Sequence, residues 1–138
     1  MKLRKIGVTM MSGKKKMNNI TFNELFNAQV NNQVSLVKKG SYEGFASSNI
    51  LCVPIDDPAL SSYHIQQLIS EIGEVLDADK RWKNFRNKKY DKEAKLEEIA
   101  DCFIVLMNIA MFSGFDSDQM VEAIIKKLEI VKERIGET

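Results

Sequence analysis

The sequence predicts an all-α fold, a bundle of four to five helices, on three observations. Apolar residues recur at helical spacing along several separate segments. Side chains able to cap a helix stand at or near the starts of those segments. Runs with the alternating pattern of a strand are almost absent. At 138 residues and 44% hydrophobic, the chain suits one domain that buries its own core without cross-links.

The first helix opens at Thr21-Phe-Asn-Glu24, a capping box in which hydroxyl and carboxylate each satisfy an orphan amide, and it runs to about residue 39 with Gly40 just past its end. Residues 1–20 read as a basic, frayed leader, and 21–138 as the helical domain. The following stretch, GSYEGFASSNILCVPIDDPALSS, contains both prolines of the chain, which predicts a long loop with one short extended segment near 50–53. Ser61 or Ser62 is expected to cap the second helix, whose Ile65, Leu68, Ile69, Ile72, Val75 and Leu76 recur at helical spacing up to the polar run RNKKYD. Asp91 caps the third, which ends at Gly114. Asp116-Ser-Asp-Gln119 opens the fourth, with Met120, Ile124, Leu128, Val131 and Ile135 as one stripe.

A net charge of +1 with 28% charged residues gives no pull towards nucleic acid or a membrane surface. The longest apolar stretch, Cys102 to Phe112 broken by Asn108, falls short of the roughly 20 residues a membrane span needs. The leader has no apolar core or cleavage site of the secretory kind. Cys52 and Cys102 lie far apart, and Cys102 sits in an apolar run as a small hydrophobe, which suits a reducing cytoplasm.

Two carboxylate pairs need explaining. Glu71 and Glu74 stand three apart in HIQQLISEIGEVL, at the edge of an apolar face expected to centre on Ile65, Ile72 and Leu76. Glu98 and Asp101 repeat the spacing in the third helix, apolar nearly all round and so expected to be buried. Its polar residues fall on one stripe, Glu98, Asp101 and Asn108. Residues three apart on a helix are neighbours, so each pair can aim two carboxylates at one point, and two helices side by side would gather four. Such a cluster repels itself unless a cation sits in it, and carboxylate oxygens with no soft ligand suit Mg²⁺ or Mn²⁺. A lone ExxE is more often a solvated helix edge, and the structural alternative for Asp101 is an ion pair with a Lys or Arg of another helix. A diiron bundle is disfavoured because it needs two Glu-x-x-His motifs and the one histidine, His64, belongs to none. His64 is expected at the start or surface of the second helix.

EIGE at 71–74 followed by EIAD at 98–101 resembles the paired ExxE and ExxD pattern of the all-α nucleoside triphosphate pyrophosphohydrolases, which include MazG and the dimeric dUTPases. DADKRWKNFR after the first pair, and QVNN at 29–32, look more like the dimeric dUTPase branch. Many members carry a further glutamate where Ser70 stands, which leaves the two at ligand spacing untouched. The resemblance covers roughly residues 21–135. It implies cleavage of a nucleoside triphosphate between its α and β phosphates, with Glu71, Glu74, Glu98 and Asp101 holding Mg²⁺, and it implies base contacts from Gln29 and Asn32. dUTP is the leading substrate, and a MazG-like house-cleaning hydrolase of another nucleotide is the alternative.

Triphosphate charge also calls for cations, and Lys83 and Arg86 follow the first motif, with Lys127 and Arg134 on the last helix. Trp82 and Phe85 either stack on a base or seal a helix end. Asn108 is a candidate for hydrogen-bonding sugar or base. So small a protomer, with apolar positions along helix four, is expected to form a homodimer or homotetramer. Residues 41–60 are expected to act as a lid. The rival from another class is a non-catalytic helical interaction module whose carboxylates only pair with lysines, and metal dependence separates the two.

Overall fold

The computed structural model describes residues 19–44, 52–83 and 90–136. Among them are four α-helices: α1 Phe22–Lys38, α2 Pro58–Ala78, α3 Lys92–Phe112 and α4 Ser117–Ile135, with a 3₁₀ turn, Lys80–Trp82, after α2. No strand occurs among the described residues, where extended pairing amounts to one bridge between Asp56 and Ser113. The fold is all-α. Residues 1–18 of the leader, and residues 50 and 51 of the expected extended segment, lie outside the described residues.

The capping residues of α1, α3 and α4 are those expected, though at α1 the Glu24 carboxylate accepts from the Thr21 hydroxyl at 3.4 Å and only the Thr21 half of the capping box forms. Thr21 Oγ1 accepts from the Glu24 amide at 3.2 Å, Asp91 from the Ala94 amide at 3.0 Å, and Asp116 and Gln119 cap one another reciprocally. Helix α2 differs at both ends. It starts before Ser61, because Asp57 accepts from the Ala59 and Leu60 amides, each at 3.1 Å, and Pro58 takes the first helical position, where a missing N–H costs nothing. It stops at Ala78, ahead of RNKKYD. There Asp79 leaves helical geometry and takes both Arg81 (2.7 and 2.8 Å) and Lys95 (2.9 Å) on its carboxylate. Those hydrogen bonds hold the Asp79 carboxyl well below the usual carboxylate range. They also tie the end of α2 to the start of α3.

Phe26 of α1, Leu60 of α2, and Ala110, Met111 and Phe112 of α3 form the buried core at one end of the bundle. The strand-like segment before α2 is pinned to it, with the Ile55 amide on Met111 O at 2.8 Å and the Asp57 amide on Phe112 O at 2.9 Å. Gly114 turns the chain beneath that segment at φ +85, where an added Cβ would meet the Asp56 backbone nitrogen at 3.3 Å. Helices α2 and α3 pack antiparallel along their length, which brings EIGE beside EIAD.

Three expectations are corrected. The α2 positions Ile65, Ile72 and Leu76 do not point into the core; they are about half exposed, with Ile69 at 67%. Helix α3 is not buried all round, since Leu96, Ile99, Phe103 and Leu106 are exposed, as is Asp101 itself. The reason is coverage: α1 shields one side of the α2–α3 pair, and α4 leans on α1 through its first turns, including an Asn23–Asp118 hydrogen bond of 2.8 Å, then runs exposed from 122 to 136. His64 is not a surface residue. It is 2% exposed and stacked on Phe112, ring centroids 5.1 Å apart at 4°. No helix of the described residues is long and apolar enough to cross a membrane.

Candidate active site

The turn between α2 and α3 sets the register in which Glu71, Glu74 and Glu98 meet. Each offers a carboxylate oxygen within 4.8 Å of the others'. Glu71 Oε2 and Glu98 Oε2 are buried atoms with no hydrogen-bond partner. Burial pushes the Glu71 carboxyl up, with the negative charges of Glu74 and Asp101 adding to it. The close approach of the Glu74 carboxyl pushes Glu98 up, followed by burial and the surrounding negative charge. Asp101 stands at the side of the trio, close enough for its charge to act on Glu71 and Glu98. Among the described residues no Lys or Arg pairs with Asp101, so the ion-pair alternative finds no partner there.

Orphaned carboxylate oxygens facing one another are costly, and a cation is the group that relieves the cost. The donor set is all oxygen, the chemistry preferred by a hard divalent ion. Cys102 beside it does not soften the site, because burial and then the same acidic charges push its thiol up and keep it protonated. The residues fit a divalent metal.

From Glu71 and Asp101 a pocket of about 470 Å³ runs between α1, α2 and α3, lined further on by Gln67, His64, Gln29 and Asn108. One polar network crosses its wall. Gln29 Nε2 and Gln33 Nε2 donate to Asn108 Oδ1 at 2.8 and 3.1 Å. Asn32 Nδ2 donates to Gln29 Oε1 at 3.1 Å, and the Tyr42 hydroxyl donates to Gln33 Oε1. His64 Nδ1 lies 3.1 Å from Gln67 Oε1, and Nε2 lies 3.4 Å from Tyr42 Oη. Burial holds His64 below its usual range, hence neutral, and pushes the Tyr42 phenol up to about 12.

Of the residues singled out in the sequence, Glu71, Glu74 and Glu98 come together, Asp101 adjoins them, and Gln29 and Asn108 line the same pocket. Asn32 reaches this pocket only through Gln29, and it lines a second, apolar pocket of about 400 Å³ between α1 and α3. Lys83 lies 5.2 Å over the Trp82 ring, and Lys127 is exposed on α4; no contact among the described residues carries either to the carboxylates. Trp82 donates to Leu76 O at 3.0 Å and so seals the end of α2. Arg86 and Phe85 lie outside the described residues. Sequence reasoning missed Gln33, Tyr42, His64 and Gln67. The available signal was the i, i+4 pairing of Gln29 with Gln33, which sets two amides on one helix face.

An all-α bundle here sets paired acidic motifs face to face beside a polar pocket, an arrangement able to hold a divalent ion against phosphate oxygens. The MazG nucleotide pyrophosphohydrolase domain matches residues 61–135, more than half of the chain, and the protein belongs to that family. The match takes in both carboxylate pairs and leaves α1 outside it. No curated protein and no solved structure matches the chain.

Proposed function

We propose that the protein is a Mg²⁺-dependent deoxynucleoside triphosphate pyrophosphohydrolase, with dUTP as its leading substrate. The observation that carries the reading is the trio of facing carboxylates with two buried, unpartnered oxygens. Glu71, Glu74 and Glu98 would hold the metal, Asp101 would complete the set, and Mn²⁺ is the natural substitute for Mg²⁺. When bound, a divalent ion supplies Lewis-acid chemistry, offsetting charge on phosphate oxygens and making water more acidic.

The chain's own residues do the rest. A carboxylate of Glu71 or Glu74 orients the attacking water and takes its proton as the water oxygen bonds to the α-phosphorus. The bond from α-phosphorus to the α–β bridging oxygen breaks, and pyrophosphate leaves with that oxygen. The Asn108 amide meets the nucleoside, and Gln29 and Asn32, expected from the sequence as base contacts, stand behind it in the polar network of the pocket wall. Lys83, Arg86 and Lys127 are the cations assigned to the outgoing phosphates.

The bare apolar stripes on α2, α3 and α4 support a homodimer or homotetramer, because so extensive an exposed apolar face marks an interaction surface. Support for dUTP rests on the likeness of QVNN and DADKRWKNFR to the dimeric dUTPases. The test is pyrophosphate release from a panel of dNTPs and NTPs, with Mg²⁺ and with EDTA. Metal-dependent release concentrated on dUTP is expected; release spread over several nucleotides would move the protein to the house-cleaning group, and silence would favour the interaction module.

A further inference from the structure

Asn108 is 4% exposed, yet it lines the pocket. Its Oδ1 accepts two amide hydrogens, from Gln29 and Gln33, which fills both oxygen lone pairs and fixes which way the side-chain amide points. Its Nδ2 has no partner among the described residues and is not one of the buried unpartnered atoms, so it opens on the pocket. The two glutamines are themselves held, Gln29 by Asn32 and Gln33 by Tyr42. The wall of the pocket therefore presents an oriented N–H donor whose direction is set by four neighbouring side chains.

Position along the pocket decides what that donor meets. Asn108 lies seven residues from Asp101 on α3, which is about 10 Å at 1.5 Å per residue. His64, opposite on α2, lies the same number of residues from Glu71. With the phosphates at the carboxylates, the end of the pocket beside Asn108 and His64 receives the edge of the base furthest from the sugar. In a pyrimidine that edge is ring position 4, opposite the nitrogen that bears the sugar, and in a purine it is position 6. A carbonyl there accepts the Asn108 hydrogen, whereas an amino group sets donor against donor and leaves both unpaired in a buried site.

We infer that Asn108 is a specificity-determining residue that selects nucleotides carrying a carbonyl at the far edge of the base, with Gln29 and Gln33 as the positioning residues that aim it. This rests on the pyrophosphohydrolase reading and adds what that reading lacks, a chemical reason for one base over another. It also gives Gln29 a part different from direct base contact, since both ends of its amide are already engaged.

The test compares kcat/KM for two substrate pairs that differ chiefly by carbonyl against amino, dUTP with dCTP and dITP with dATP, in the presence of Mg²⁺. The carbonyl member of each pair should be preferred at least ~tenfold. Asn108→Asp keeps an oxygen for the two glutamines and turns the free donor into an acceptor, so it should reverse the preference in both pairs. Asn108→Leu should bring both ratios close to one, and dUMP against dCMP binding to the wild type, followed by calorimetry, should show the same preference without turnover. Equal kcat/KM within both pairs, or ratios unmoved by Asn108→Asp and Asn108→Leu alike, would overturn the inference and leave the hydrolase reading standing. Absence of pyrophosphate release from all four nucleotides would overturn both.

Discussion

The two ends of the α2–α3 pair differ in how they are finished. At one end Leu60, His64, Met111 and Phe112 are closed over by α1 and by the segment leading into α2. At the other, Ile69, Ile72, Leu96 and Phe103 lie bare, although they belong to the same two helices and recur at the same spacing. The carboxylates sit where the closed region gives way to the open one. Helical periodicity tells which residues share a face, and the course of the neighbouring elements decides whether that face is covered.

Substitutions at the two ends should therefore act on different quantities. Phe112→Ala removes a fully buried ring and should cost about 3–5 kcal/mol in denaturant unfolding. Phe103 is 65% exposed, and Phe103→Ser should change subunit stability by no more than about 0.5 kcal/mol. Its effect should appear in sedimentation velocity, as loss of the dimer or tetramer. A monomeric wild type would remove the reason for the bare face.

At the boundary between the ends, Glu98→Gln relieves repulsion among facing carboxylates. In EDTA the variant should melt above the wild type. Mg²⁺ should raise the wild-type melting temperature and leave the variant unmoved, because only a folded state that binds the ion is stabilised by it. Equal Mg²⁺ shifts in both proteins would take Glu98 out of the ligand set.

Acid should weaken the closed end through His64. Its folded-state pKa lies below the ordinary 6.5, so the unfolded chain takes the proton first. That stability is fully present above pH 6.5 and is lost as pH falls below it towards the lower folded value. Asp79 follows the same sign further down, losing its contribution as pH drops below the ordinary 3.8. His64→Phe should flatten the first slope, read in melts between about pH 7 and 5, and leave the second, read in melts below about pH 4, in place. On α4, Asp116→Ala removes a reciprocal cap and should cost about 1 kcal/mol in denaturant unfolding.

The parts of this molecule readable in its sequence are those set by local chemistry. Thr21, Asp91 and Asp116 cap helices through amides a few residues away, and the three-residue spacing of Glu71 with Glu74 and Glu98 with Asp101 needs only helical geometry. What escaped reading depends on contacts between distant segments. Ser61 looked adequate as a cap because the value of Asp57-Pro58 depends on how the preceding segment is pinned to Met111 and Phe112. His64, expected at the start or surface of the second helix, is buried instead by Tyr42, Phe112 and Gln67, which are spread over two helices and a turn. The Gln33–Asn108 contact spans 75 positions and has no local signature.

We propose that facing carboxylates on α2 and α3 make this pyrophosphohydrolase metal-dependent. The most direct test is pyrophosphate release from dUTP with Mg²⁺ by the wild type and by Glu74→Gln and Asp101→Asn, with circular dichroism on the same samples. Turnover by the wild type, its loss in EDTA, and its abolition in both variants with helical content unchanged are expected. Full activity in either well-folded variant, or release that persists in EDTA, would contradict the proposal.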